Sequence, residues 1–248
     1  MNRTMTELQS YFRQLRLSET AEELPKLLRE AERLSWTYFE FLEEITSFEI
    51  NKREEKSIEK RIKWARFPYF KTLREFQVEE QTALTERQLI QLQEFSWLEQ
   101  QYNLILLGPP GVGKTFLAIG LGIEAIYKGF QVYFVSMGEL IQLLKTQEFT
   151  HKSQVQMKRL KASDLVIIDD LMYMAMDQRE ANLFFQLINH LYERSSIILT
   201  SNKNPEEWSH LMGDQGITTA ILDRLLHRVE VIHMDGDSYR MKNRQSLF

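Results

Sequence analysis

Over the first 66 residues apolar side chains recur three and four positions apart. Leu24, Leu27, Leu28, Ala31 and Leu34 form one such run, and Tyr38, Phe41, Leu42, Ile45 and Phe48 form the next. That spacing is the period of an amphipathic helix. No glycine precedes Gly108, and Pro25 is the single proline of this stretch, so residues 1–66 read as a small all-α N-terminal domain of three helices. Pro68 cannot continue a helix and disfavours one at Phe67. Residues 67–102 therefore read as a linker merging into an entry helix over Thr85–Gln101. From Asn103 onward the pattern changes. Short apolar runs at 103–107, 131–135, 164–169, 195–200 and 228–233 have the length and β-branched content of buried strands. Helical stretches separate them: 114–128, one opened by Ser136 and Glu139, one from Asp177 to about Glu193, and 218–227. Ser136/Glu139 and Asp177/Glu180 both have the spacing of a capping box. Five strands alternating with helices predict an α/β fold with a five-stranded parallel sheet between helices, over residues 103–248.

The turn after the first strand carries the chemistry. Residues 108–115 read Gly-Pro-Pro-Gly-Val-Gly-Lys-Thr, the G-x-x-x-x-G-K-[ST] phosphate-binding loop. Its glycines, Gly108, Gly111 and Gly113, let the backbone curl so that N–H groups point at a triphosphate. Pro109, Pro110 and Val112 complete the loop. Lys114 supplies a positive charge for the β- and γ-phosphates, the Thr115 hydroxyl is a ligand for Mg²⁺, and Phe116 follows on the helix whose N-terminus faces the phosphates. A strand before and a helix after are the context this motif requires.

Hydrolysis needs more than a phosphate cradle. Leu165-Val-Ile-Ile-Asp-Asp170 places Asp169 at the C-terminal end of a buried strand, where a parallel sheet presents its ligands. Asp169 is the candidate Mg²⁺ holder, with Thr115, and Asp170 the candidate for orienting or deprotonating a water. Leu-Thr-Ser-Asn202 ends the next strand, and Asn202 is placed to sit between that water and the γ-phosphate; as a residue type it also suits a turn before Pro205. Arg224 falls on a short helix, either as a source of transition-state charge from a neighbouring subunit or as a surface arginine paired with Asp223. Together Lys114, Asp170, Asn202 and Arg224 are the candidate catalytic set, with ATP and Mg²⁺ as the implied substrate and cofactor.

Composition narrows the rest. The 248 residues are 43% hydrophobic and carry a net charge of −4, and there is no cysteine, which excludes disulfides, zinc–thiolate sites and thiol nucleophiles. The five histidines have no metal-binding spacing. The N-terminus lacks a signal-peptide core, and no apolar run approaches the ~20 residues of a membrane helix. The expectation is a soluble cytoplasmic protein without a membrane partner. Two local stretches are basic: Lys52, Arg53, Lys56, Lys60, Arg61, Lys63 and Arg66, with Trp64 among them, and then Lys152, Lys158, Arg159 and Lys161 without an intervening acid. Such clusters fit phosphate contacts, and equally a solvated helix face. No base-reading motif accompanies them, so any duplex DNA binding is expected to be sequence-tolerant. The aromatics of the N-terminal helices, Phe12, Trp36, Tyr38, Phe39, Phe41 and Phe48, serve either a core or a partner face.

Ala65-Arg-Phe-Pro-Tyr-Phe-Lys-Thr-Leu73, the phosphate loop, Ile167-Ile-Asp-Asp170, Thr200-Ser-Asn202, Asp223-Arg-Leu225 and Gly236-Asp-Ser-Tyr-Arg240 together resemble the AAA+ ATPases. Within them the chain looks like the IstB-like transposition helpers, relatives of DnaC-type helicase loaders and DnaA-type initiators. The resemblance implies that Asn202 matches sensor 1 and Arg224 the arginine finger. It also implies an ATP-dependent homo-oligomer on double-stranded DNA that recruits or activates a transposase. For Lys152, Lys158, Arg159 and Lys161 it adds the initiators' habit of placing DNA contacts in that part of the sheet domain. Helicase loading is the alternative it leaves, and a small-molecule P-loop kinase the alternative outside the family. Two departures stand out. The family usually carries Glu at the position of Asp170, whose side chain is shorter by one methylene, about 1.5 Å. The C-terminal lid is absent or vestigial, with Arg240 or Arg244 as stand-ins for a sensor-2 arginine.

Overall fold

The structure, a computed structural model, describes residues 4–76, 84–171, 176–210, 215–236, 238 and 239. Two compact units divide the chain, residues 1–60 and 61–248, and their boundary falls inside the third helix.

The first unit is built from α1 (Met5–Gln14), α2 (Ser18–Leu34) and the larger part of α3 (Tyr38–Ala65), so three helices form where the periodicity predicts them. Thr4 and Glu7 close a capping box on α1. Pro25 lies inside α2, where it removes the N–H that would bond to Ala21. The Gln9 side-chain amide donates to that carbonyl instead, at 2.8 Å. No side chain of its own caps α2; Glu49 of α3 accepts from the Thr20 N–H at 2.8 Å and from its hydroxyl at 2.9 Å. Burial alone would raise the Glu49 carboxyl, but the two Thr20 bonds and Arg53 together bring it below the ordinary carboxylate range. Of the aromatics, Phe12, Trp36, Phe41 and Phe48 are half-buried, whereas Tyr38 and Phe39 are 93% and 74% exposed.

In the second unit the entry helix differs from the expectation. It is two helices, α4 (Glu86–Gln93) and α5 (Ser96–Glu99), broken at Phe95. Phe95 takes a left-handed φ of 60° and is 1% exposed, its ring packed 6.1 Å from Phe130 and 6.2 Å from Trp97. Burying that ring outweighs continuing the helix.

Five parallel strands follow: β1 (Asn103–Leu107), β2 (Val132–Ser136), β3 (Leu165–Leu171), β4 (Ser196–Ser201) and β5 (Val229–His233), in the order β2-β3-β4-β1-β5. Between them run α6 (Lys114–Tyr127), α7 (Met137–Thr146), α8 (His151–Lys161), α9 (Gln178–Leu191) and α10 (Gln215–Leu226). One face of the sheet, with Ile105, Tyr133, Val135, Val166, Ile168 and Leu199, packs on α7, α8, α9 and α10. The other lies against α6, where Ile167 approaches Gly122 so closely that a Cβ there would be 2.8 Å from its Cδ1. Phe67 and Leu73 of the linker occupy the space that side chains at Gly122 and Gly120 would fill. Asp177 and Glu180 close the expected capping box on α9. Ser136 caps α7 by accepting from Glu139 N, but the Glu139 carboxylate meets the Ser136 hydroxyl at 3.3 Å rather than the backbone N–H, so the expected box is only half formed.

Candidate nucleotide-binding site

β4 lies between β1 and β3, so the ends of three neighbouring strands converge. Leu107 pairs with Ser201, which sets Asn202 beside the start of the phosphate loop, and Gly108 N–H donates to Ser201 O at 3.3 Å. Gly113, at φ 98°, turns the loop into α6, whose first residue is Lys114. Lys114 is 5% exposed, and its ammonium donates to Gly108 O (2.7 Å), Pro109 O (2.8 Å) and Asn202 Oδ1 (2.6 Å). Val112 anchors the loop at 1% exposure, while Pro109 and Pro110 are exposed at its tip. Phe116, in the first turn of α6, stacks on Phe76 with centroids 5.6 Å apart, and the Lys71 ammonium stands 5.5 Å from the same ring.

Asp169 is 8% exposed, and its Oδ1 accepts from the hydroxyls of Thr115 (2.8 Å) and Thr200 (2.6 Å). Burial is the largest influence on this carboxyl and raises it above the ordinary range; the neighbouring Asp170 charge adds to the rise, while the two hydroxyls and Lys114 act against it. Thr115 and Asp169 offer a hydroxyl and a carboxylate, hard oxygen donors of the kind magnesium takes. The strand runs on past Asp169, contrary to the expected end there. Pairing with β4 slips between Ile168 and Leu171, and Asp170 sits in the bulge at φ 56° with its side chain exposed. A positive φ on a non-glycine residue is costly and concentrates at functional sites. The Asp170 N–H donates to Thr200 Oγ1 at 2.9 Å, so this one hydroxyl ties both aspartates. Thr200 carries no signal of this role in the sequence; only the placing of β4 beside β3 reveals it.

A second element is equally hidden from the sequence. Beyond β5 the chain crosses the phosphate loop. Met234 N–H donates to Leu107 O at 2.7 Å and Tyr239 N–H to Gly111 O at 3.0 Å. A Cβ at Gly108 would lie 2.0 Å from Met234 O, and one at Gly111 2.1 Å from Ser238 Oγ. Since β5 pairs with β1, whatever follows the one emerges beside whatever follows the other. Arg240 and Arg244 lie outside the described residues, as do Met172 and Met174, whose place after the two aspartates suits either core filling or a partner surface.

Arg224 stands apart. Its Nε donates to Asn189 Oδ1 at 3.0 Å, a terminal nitrogen donates to Ala220 O at 2.8 Å, and the guanidinium lies 4.9 Å from the centroid of Phe185. Asp223 is not its partner, and none of these bonds reaches the phosphate loop. The basic stretches separate likewise. Lys52 pairs with Glu55 (2.6 Å), Arg53 with Glu49 (2.8 Å) and Lys56 with Glu19 (2.6 Å). Lys60, Lys63, Lys152, Lys158 and Lys161 are exposed, while Arg61 and Arg159 are half-buried. Among the described residues no helix is long and apolar enough to cross a membrane.

A parallel sheet in this strand order, with a phosphate loop after β1, an acid on β3 and an amide after β4, defines a P-loop AAA+ ATP-binding protein. The chain belongs to the family of IstB-like ATP-binding proteins, whose model matches residues 10–246. It is 39% identical to the ATP-binding protein of an IS21-like insertion sequence from Bacteroides fragilis, over 98% of this chain and 92% of the relative. It is 38% identical to the IS21 insertion-sequence ATP-binding protein of Pseudomonas aeruginosa, over 97% and 91%. Among solved structures, DnaI shares the fold at a TM-score of 0.57 and 18% identity, covering 70% of this chain and 93% of that one. The replication initiator DnaA bound to AMPPCP and single-stranded DNA aligns at a TM-score of 0.51 and 25% identity, covering 69% and 52%.

Proposed function

We infer that the protein is a Mg²⁺-dependent ATPase that assembles on duplex DNA and assists transposition by recruiting or activating a transposase. The observation that carries the ATPase part is the convergence of Lys114 with Asn202 and of Thr115 with Asp169 at adjacent strand ends. The insertion-sequence relatives support transposition over helicase loading. The structure of DnaA bound to AMPPCP and single-stranded DNA supports a nucleotide and a nucleic acid acting on one fold.

In this reading the loop from Gly108 to Phe116 holds ATP. The Lys114 ammonium, gathered by two loop carbonyls and Asn202, turns to the β- and γ-phosphate oxygens. Thr115 and Asp169 hold Mg²⁺, which when bound neutralises charge developing on the phosphate oxygens. Asp170, carried outward by its bulge, orients the water that attacks the γ-phosphorus, and Asn202 fixes that water against the phosphate. The bond to the β–γ bridging oxygen breaks, leaving ADP and phosphate. Arg224 enters the site of a neighbouring subunit, where it stabilises transition-state charge. Residues 1–66 form the DNA- or partner-binding domain, with the exposed Tyr38 and Phe39 as part of a transposase face; residues 67–102 are the linker, and 103–248 the ATPase domain of a cytoplasmic protein. The test is mass and ATP turnover with and without duplex DNA. Large ATP-dependent complexes with stimulated turnover are expected. A monomer indifferent to DNA overturns the reading.

A further inference from the structure

β3 breaks the alternation of a regular strand at one residue. Val166 and Ile168, two positions apart, face the apolar cluster shared with α7, α8, α9 and α10. Strict alternation would turn Asp170 into that cluster next. Leu171 is there instead, 2% exposed, and Asp170 is carried outward in the bulge. Burial of Leu171 favours the bulge, and two hydroxyls from the end of β4 close it on either side. Ser201 Oγ donates to Leu171 O at 3.2 Å, beyond the slip, and Thr200 Oγ1 accepts from the Asp170 N–H at 2.9 Å.

We propose that Thr200 is a positioning residue for ATP hydrolysis, its hydroxyl fixing the Asp170 carboxylate in relation to Asp169. This role rests on the ATPase reading above. Thr200 is fully buried, so solvent does not reach its hydroxyl. A backbone N–H can only donate, so the bond to Asp170 takes a lone pair of Oγ1, and the one hydroxyl proton goes to Asp169 Oδ1 at 2.6 Å. One atom thus makes both bonds, in opposite senses, and a shift of either acid disturbs the bond to the other. The Asp170 φ of 56° is a conformation that persists only where its surroundings hold it, and the bond to Thr200 holds it at the residue itself. Asp169 keeps a second donor in the Thr115 hydroxyl at 2.8 Å. Loss of the Thr200 hydroxyl therefore falls on Asp170 more than on the metal-holding acid. Two residues on, Asn202 accepts from Lys114, so the end of β4 sets the acid pair and the phosphate-loop lysine in one frame.

Two variants of the full chain test this. T200V replaces the hydroxyl with a methyl group of similar size, and T200S keeps the hydroxyl. Because Leu171 still favours the bulge, T200V is expected to fold, and its melting temperature and ATP affinity report on that. In T200V kcat is expected to fall about 10- to 100-fold, the usual effect of removing a group that orients another. The Kd for ATP with Mg²⁺ is expected to stay within about threefold, the split that marks an interaction serving the transition state. T200S is expected to keep kcat within about threefold of the parent. Amide exchange needs no nucleotide: the Asp170 N–H is expected to exchange at least about tenfold faster in T200V than in the parent or T200S. T200V turning ATP over at the parental rate, or T200V and T200S slowed alike, overturns the positioning role and leaves the ATPase reading intact. A loss of ATP binding that matches the loss of kcat overturns it as well. A parent that binds ATP yet hydrolyses none, with or without duplex DNA, overturns the ATPase reading and the positioning role together.

Discussion

Asp169 is asked to be buried and charged at once. A carboxyl whose folded pKa lies above its unfolded value binds its proton more tightly in the folded state. Its contribution therefore favours folding at low pH and is lost as pH rises through the folded pKa, so at neutral pH the ionised group costs stability. Asp169→Asn keeps an oxygen acceptor for Thr115 and Thr200 and removes the charge. The expected result is a protein that turns ATP over poorly but melts roughly 2–4 °C higher at pH 7.5, with the gain shrinking toward pH 4. A Tm at or below that of the parent at neutral pH would mean that the hydroxyl bonds to the ionised oxygen outweigh its desolvation. Lys114, Thr115 and Asp169 are legible in the sequence because the phosphate-loop motif and the apolar run before Asp169 fix their neighbours in the chain, although that strand runs on to Leu171. Thr200 is not, since its hydroxyl acquires a role only through the register that sets β4 beside β3. Neither is the positive φ of Asp170, which arises from a slip in pairing rather than from any local signal.

At the scale of elements, local signals hold where one stretch of chain satisfies itself and fail where a distant side chain competes. Asp177-Gln-Arg-Glu180 announces the start of α9, and the cap forms as written, with Glu180 also meeting Lys145. The continuous helical pattern of Thr85–Gln101 instead yields to Phe95, whose ring is worth more inside than another turn of helix. The cap of α9 matters beyond its own end, because this helix carries Asn189 and Phe185, the residues that hold Arg224. Asp177→Ala leaves the N–H of Glu180 without its acceptor and should cost about 1 kcal/mol in urea unfolding, with Asp177→Asn nearly neutral. If α9 also frames Arg224, turnover falls in the alanine variant while ATP affinity does not. Equal turnover at reduced stability would separate the cap from the position of Arg224.

For the molecule as a whole, the sequence announces five strands and their parallel sense but not their order, which depends on which crossovers pass over which neighbours. The order decides what each site residue can reach. With β4 between β1 and β3, Lys114, Asn202, Thr115 and Asp169 are served by a single subunit. Arg224 sits on α10, its guanidinium bonded to Asn189 and Ala220 and to no member of that set. Either it acts on a neighbour's nucleotide or it takes no part in the reaction, and mixing variants distinguishes these. Arg224→Ala keeps a complete phosphate loop and should bind ATP like the parent but turn it over slowly. Asp170→Asn should also bind ATP and fail to hydrolyse it, while still presenting its own arginine. Alone, each is expected to be nearly inactive. Mixed in equal amounts in a head-to-tail assembly, about a quarter of interfaces pair an intact Asp170 with an intact Arg224, so turnover should return to about that share of the parent rate. A mixture as inactive as its components, in variants that still assemble with ATP, would place Arg224 outside the chemistry and leave α10 a purely structural element.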